Sequence, residues 1–352
     1  MNASEGKSRR SLTVLTTFLF SLALVAGCGE RQTANESGVE SAGAIDEVTF
    51  NMGWLPQGSM AGVIAAIDQG FYESAGLEVE AVRGFGGIRT VNEIDQGMFE
   101  FGYGDPLAVI LNRGKGGKTK MIGAINDRWP AALCFVMSRH QIETPADLAG
   151  LTVGGGQTSP MQVIVPEWLE LNGIDRGAVE LMQLDPSIVV NSLIEGQIDA
   201  GECWQGNSLA IFKKRAADAG LEIGSLEYSA FGLNIYGNGI VTSEAIIEQQ
   251  PELARNFLNA TYRGYEWVEN NRDAAIEMMI ARYPVLDADI TRQQIDELAD
   301  LMAGPGSRGW IEESKVAQTL EFLSKAYDVE DSIAVNDIFT TRFLEVADSA
   351  GE

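Results

Sequence analysis

Carboxylates set beside aromatic rings are the groups in this chain best suited to chemistry, and they recur in two nearly matching stretches. Residues 91–105 read VNEIDQGMFEFGYGD and end in Tyr103, Gly104 and Asp105. Residues 190–204 read VNSLIEGQIDAGECW and carry Glu202 and Trp204. A carboxylate beside an indole or phenol can hold an amine-bearing planar ring by a charge-assisted hydrogen bond and by stacking. Trp54, Gln57 and Ser59 in GWLPQGS, Gln157, Thr158 and Ser159 in GGGQTSP, and Tyr236 and Asn238 in IYGNG complete the candidate ligand-binding set. A few polar groups and aromatic faces converging from loops describe a small-molecule pocket. The GGGQTSP turn offers a second chemistry, because backbone N–H groups at a helix start attract anions such as a sulfonate or nitrate. Arg83 and Arg89, which flank a GFGG turn, would add positive charge there. The candidate strand ends themselves carry Asp105 and Glu202 and no arginine, which leans toward a neutral or cationic heterocycle.

Catalytic groups are scarce. The one histidine, His140 in SRHQIETP, sits beside a turn and reads as a solvated residue, with no nucleophile motif around it. The three cysteines, Cys28, Cys134 and Cys203, have no metal-ligand spacing. An oxidising compartment would permit a bond between Cys134 and Cys203, yet nothing in their context requires one, and two buried free thiols are expected. The expectation is a binding protein with no cofactor and no metal, not an enzyme.

Each of the two matching stretches reads as a helix end, a glycine that stops it, and a short strand running into a loop. At a constant offset Val91 meets Val190, Asn92 meets Asn191, Gly97 meets Gly196 and Gly102 meets Gly201. In open α/β sheets ligands lie beyond the carboxyl ends of strands, so two such units predict two lobes sharing a cleft. Elsewhere the pattern predicts strands over 48–54, 77–82, 120–125, 151–156 and 179–184. It predicts a helix capped by Ser59, a capped turn at TPADLAG, and a return strand within 233–243. From residue 251 onward apolar spacing is helical: 251–270, 273–282, 289–303 and 312–327. Lobe 1 is expected over 47–130 plus 235–352 and lobe 2 over 131–234, joined by two crossings that can act as a hinge.

The N-terminal segment reads as an address. Lys7, Arg9 and Arg10 precede an uncharged apolar run that ends at LVAGC, which resembles a bacterial lipobox with Cys28 as the lipidated first residue. Residues 1–28 are thus expected to be a lipoprotein signal, and the polar, aperiodic 29–46 a flexible tether. With 50 acidic against 25 basic residues, the formal charge of −25 argues against nucleic acid and against an anionic membrane surface as partners. Such a charge suits a soluble monomer working outside the cytoplasm, held to the membrane only by its lipid.

The segments GWLPQGSMAGVIAAIDQGFYESAGLEVE, GYGD, TPADLAGLTVGGG and YGNGIVTSEAIIEQQPELARNFLNATYRG resemble solute-binding proteins for thiamine-pyrimidine precursors, alkanesulfonates, taurine and nitrate. The resemblance runs in order over about 48–345, nearly all of the mature chain. It implies an α/β, two-lobed periplasmic binding protein fold of type II, with two crossover strands and a helical C-terminal part. It further implies delivery of a small-molecule ligand to the permease and ATPase of an ABC importer. A eukaryotic branch that makes the thiamine pyrimidine from its own histidine is excluded, because WLPQGSMAG has no histidine and no cysteine cluster exists. A sensory or scaffold protein on the same fold is the alternative.

Overall fold

Buried Val48 and Phe50 set strand β1 (Asp46–Asn51), which pairs in parallel with β2 (Leu77–Val82) on one side and β3 (Phe101–Gly104) on the other. The computed structural model describes residues 45–157, 159–302, 309–329 and 333–344. Helices α1 (Ala61–Asp68) and α2 (Phe71–Ser74) join β1 to β2, and α3 (Gly87–Asp95) joins β2 to β3. After α4 (Pro106–Arg113) and β4 (Thr119–Ala124) the chain crosses to a second sheet. That part contains β5 (Ala131–Val136), β6 (Thr152–Gly156), α5 (Met161–Leu171), β7 (Glu180–Leu184), α6 (Val189–Glu195), β8 (Ala200–Trp204), α7 (Ser208–Asp218) and β9 (Ile223–Glu227). Strand β10 (Gly239–Ser243) returns to the first sheet. Helices α8 (Glu244–Gln249), α9 (Pro251–Asn270), α10 (Arg272–Arg282), α11 (Ala288–Leu301), α12 (Glu313–Tyr327) and α13 (Val335–Ile338) follow.

The strand orders are β2-β1-β3-β10-β4 and β7-β6-β8-β5-β9. Each sheet has three parallel strands and then an antiparallel one, β10 or β5, that follows a crossing. This is the two-lobed periplasmic binding protein architecture of type II. The matching stretches occupy equivalent places in it: α3 with β3, and α6 with β8. Gly97 and Gly196 end their helices at φ of 71° and 76°, a left-handed turn that a Cβ would strain.

The crossings touch each other. Ile125 N and Asn126 N both donate to Asn238 O, at 2.9 and 2.8 Å. A Cβ on Gly237 would fall 2.5 Å from Arg128 O and 2.8 Å from Asn126 Cβ, so only glycine permits this approach. The expected return strand over 233–243 therefore begins only at Gly239: Gly237 and Asn238 bond to the first crossing, Tyr236 N donates to Thr319 Oγ1 and Leu233 N to Tyr228 O.

The C-terminal helices pack on elements of both sheets. Helix α9 covers the first, its Phe257 ring stacked 4.0 Å from that of Phe101. Helix α12 packs on α4 and on α5, and α11 on α7 and on the 3-10 turn Gly58–Met60. Gln294 on α11 accepts from Gly58 N at 2.8 Å and donates to Asn207 O at 2.9 Å.

Three expectations are corrected. Cys134 and Cys203 are joined by a disulfide, with Cα atoms 5.9 Å apart. Antiparallel pairing of β5 with β8 sets Ala132 opposite Cys203 and Cys134 opposite Gly201, a diagonal placing within bonding reach. Ser59 is not a helix cap: the turn starts at Gly58 with Gln57 in the cap position, and Gln294 satisfies the Gly58 N–H. His140 is not a solvated residue but pairs with Asp199, Nε2 to Oδ1 at 3.1 Å.

Candidate ligand site

Strand β3 ends at Gly104, and the next residue, Asp105, caps α4 by accepting from Ala108 N at 2.8 Å, with Pro106 in the first turn. Its second oxygen, Oδ2, lies against the start of α3, 2.8 Å from where a Cβ on Gly87 would stand. Burial pushes the Asp105 carboxyl up to about 6, with the backbone N–H groups of Ala108 and Leu107 opposing the shift. On β8, Glu202 is buried, and the Ser159 hydroxyl donates to its Oε2. Burial pushes the Glu202 carboxyl up to about 7, against hydrogen bonds from the Ser159 and Trp204 side chains. Both acids thus sit where a neutral carboxyl and a carboxylate are close in free energy at neutral pH.

Tyr327 lies close enough to both acids to feel their charge. The Tyr327 hydroxyl at the end of α12 is held above its ordinary range first by burial and then by the negative charges of Asp105 and Glu202 together. Burial likewise raises Tyr103, to which Asp105 adds, and Tyr228, to which Glu202 adds. Trp129, in the first crossing, packs its ring 5.4 Å from that of Trp204 at a tilt of 57°. Among the described residues, the buried atoms without a hydrogen-bond partner include Asn126 Oδ1, Trp129 Nε1 and Tyr228 Oη here, and Gln162 Nε2, Thr291 Oγ1 and Gln293 Oε1 elsewhere. Tyr103 lies beside Asn126, and Asn126 Nδ2 donates to Asn238 Oδ1 at 3.3 Å.

Of the residues the sequence singled out, Ser159, Glu202 and Trp204 stand together at the end of β8, and Tyr103, Asp105 and, through Asn126, Asn238 stand together at the end of β3. Others do not join them. Gly104 is a packing position, where a Cβ would stand 2.9 Å from Val241 Cγ2 and 3.0 Å from Val91 Cγ2. Tyr236 uses its hydroxyl to accept from Glu312 N at 2.8 Å beneath the Lys315 ammonium, and burial raises it to about 12. Gln57 donates to Ser59 Oγ at 2.9 Å, and the pair is placed where Gly206 of the β8–α7 loop approaches Ser59. Trp54 follows β1 with its carbonyl accepting from Gly84 N, and Gln157 is exposed. Thr158 and Cys28 lie outside the described residues. Asn126, Trp129, Tyr228 and Tyr327 were missed. The available signal was a tryptophan before proline in DRWP at a crossing.

Some of the N–H donors in and after the GGGQTSP turn are engaged within the protein. Gln157 N donates to Leu184 O, Ser159 N to Gly156 O, and Met161 N to Ser159 Oγ. Arg83 and Arg89 both lie over the Phe85 ring, at 4.3 and 4.5 Å, and Arg89 also pairs with Glu93. An open groove of about 370 Å³ between α5, the second crossing and α12 is a separate feature, lined by Glu170, Leu171, Asn234 and Phe322. The region of the two raised carboxyls is the better candidate because they stand at equivalent strand ends of the two sheets.

Residues 57–275 match the family described as NMT1/THI5 like. The formylaminopyrimidine-binding protein of Halalkalibacterium halodurans is 23% identical over 346 residues, which is 95% of this chain and 99% of that protein. The riboflavin-binding protein RibY of Chloroflexus aurantiacus is 23% identical over 351 residues, 95% of this chain and 98% of that protein. In fold, the periplasmic aliphatic sulphonate binding protein SsuA from Escherichia coli superposes with a TM-score of 0.67 at 14% identity, over 83% of this chain and 96% of that one.

Proposed function

From the premise that the chain belongs to the NMT1/THI5-like family, we propose that it is an extracytoplasmic solute-binding lipoprotein of an ABC importer. In this reading it captures a small planar nitrogen heterocycle, of the thiamine-pyrimidine kind, by closing its lobes about the two crossings. The observation that carries the reading is the pair of acids, the half-buried Asp105 and the buried Glu202, set at equivalent strand ends of two sheets and both acting on Tyr327. An amine-bearing ring turns each carboxyl into a charge-assisted acceptor, worth about 1.5–3 kcal/mol. A sulfonate would set like charges together away from water, at a cost of several kcal/mol. The names of the two sequence relatives, which describe flat nitrogen heterocycles, favour the same class.

Cys28 would carry the lipid, and the permease and ATPase would be the partners that accept the ligand from a monomeric binding protein. Calorimetric titration with an aminopyrimidine and with taurine tests the ligand class. Saturable binding of the pyrimidine, with none of taurine, is expected. Tight taurine binding that survives Glu202→Gln, with no pyrimidine response, would overturn it.

A further inference from the structure

Helix α11 meets the two lobes through different kinds of contact. Ile295 and Leu298, each 2% exposed, lie in the core that also holds Phe50 and Phe101 of the first sheet. Among the described residues, its hydrogen bonds to the second lobe come from Gln294 and Glu297, three residues apart and so on one face of the helix. Gln294 Nε2 donates to Asn207 O at 2.9 Å, and Gly206 N donates to Glu297 Oε2 at 2.8 Å. The Lys213 ammonium on α7 meets Glu297 Oε1 at 3.2 Å. Gln294 Oε1 meanwhile accepts from Gly58 N of the first lobe at 2.8 Å, so one amide, 3% exposed, spans both lobes. The lobes meet closely there: a Cβ on Gly206 would stand 3.6 Å from Ser59 Cβ and 3.7 Å from Gln294 O.

The far end of the helix is tied to the first crossing. Leu301 O accepts from Asp127 N at 2.8 Å, and Asp300 O from Arg128 Nη1 at 3.1 Å. Gln294 lies two turns earlier, about 10 Å along the axis from that tether. Resting on the reading above that the protein works by closing its lobes, we infer that Gln294 and Glu297 are the latch of the closed form. The apolar side of α11 keeps the helix with the first lobe, because exposing buried Ile295 and Leu298 to water is costly. The polar bonds to the second lobe pass to water at small net cost, so they are the ones that open. The gripped loop follows directly from Trp204, at the end of the strand that carries Glu202. Shutting the latch and seating those two side chains are therefore one event. Gln294 and Glu297 are positioning residues: they set how much of the protein is closed.

Amide hydrogen exchange and small-angle scattering on the ligand-free protein test this, at alkaline pH where an added carboxyl is charged. Gln294→Glu keeps an oxygen for Gly58 N–H and sets a second oxygen against Asn207 O, so it strikes the second-lobe bond alone. The Gly206 amide, which Gln294 does not itself bond, should exchange about tenfold faster in this variant, with the Gly58 amide unchanged. The double change Gln294→Glu with Glu297→Ala should favour opening about a hundredfold and enlarge the scattering radius. Both results together support the latch, and any other combination overturns it. Faster exchange at Gly206 and Gly58 alike, with no expansion, would make Gln294 a brace within the fold. A wild-type Gly206 amide that exchanges as in an unstructured chain would likewise overturn it. If variants carrying Gln294→Glu do not fold, as judged by thermal melting, Glu297→Ala decides alone: expansion supports the latch and an unchanged radius sinks it. None of these outcomes bears on the ligand class, which the titrations with aminopyrimidine and taurine decide separately.

Discussion

The ends of β3 and β8 occupy the same place in their sheets and carry the same kinds of group in opposite order. Tyr103 corresponds to Glu202, Gly104 to Cys203, and Asp105 to Trp204. On β3 the aromatic residue is in the strand and the acid in the loop beyond; on β8 the acid is in the strand and the indole beyond. Depth decides what each acid can do. Asp105, at the loop, has one oxygen occupied by the first turn of α4. Glu202, inside the strand, has no helix to cap, and its neighbours are Ser159, Trp204 and Tyr228. One frame used twice thus gives an acid tied to a helix turn on one side and an acid held by side chains on the other.

The middle position breaks the symmetry most. Cys203 is bonded to Cys134 where the first sheet has only Gly104. Closing a loop across a sequence separation of 69 residues removes denatured-state freedom worth about 4 kcal/mol. Reduction, or the double change Cys134→Ala with Cys203→Ala, should lower unfolding free energy by about that amount in denaturant titration. An unchanged midpoint would mean that β5 and β8 are held as firmly without the bond.

The acids should differ next. Glu202→Gln is expected to weaken an aminopyrimidine by about 10- to 150-fold, the span of a charge-assisted hydrogen bond. Asp105→Asn should cost less, because only Oδ2 is free to meet a ligand. Equal losses in calorimetry would show that the exchange of places between acid and aromatic residue has no functional consequence.

Much of this frame was readable from the chain. Helix α9 spans Pro251–Asn270 as the apolar spacing requires, because Pro251 suits a first turn and the buried face is continuous. The Thr144–Asp147 capping box and the two helix-ending glycines are local chemistry and fold where they are written. What was not readable depends on pairing at long range. The disulfide exists because a crossing brings β5 antiparallel to β8, a register no spacing between Cys134 and Cys203 discloses. Asn126, Trp129 and Tyr228 lie in or beside the crossings, where no periodicity marks them. Tyr327 reaches the cluster only because α12 packs on both α4 and α5.

Acidity offers a third contrast. The Glu202 carboxyl is raised from 4.5 to about 7 in the folded chain, so folding takes up a proton between those values. Its contribution is fully present below 4.5 and is lost as pH rises through about 7. Asp105 does the same between 3.8 and about 6. Ligand-free protein should therefore gain about 3 kcal/mol of stability between pH 8 and pH 5.5, about 2 kcal/mol of it from Glu202. Glu202→Gln should flatten that slope in thermal melts, whereas Asp105→Asn should leave most of it. A slope untouched by Glu202→Gln would place the proton uptake elsewhere.

The smallest effect separates the two duties of Asp105. Its Oδ1 accepts from Ala108 N, which any short polar cap can do, and its Oδ2 lies against the start of α3. Asparagine keeps the capping oxygen and removes the charge; alanine removes both. Loss of charge is common to the two variants, so the difference between them isolates the cap, and alanine should be less stable than asparagine by about 1 kcal/mol. Ligand affinity should behave differently. If Oδ2 is the oxygen that meets the guest, Asp105→Asn and Asp105→Ala lose affinity to a similar degree, since a carboxylate acceptor is absent from both. Affinity that follows stability instead, intact in asparagine and reduced in alanine, would make Asp105 a helix cap alone and leave Glu202 as the acid that matters to the ligand.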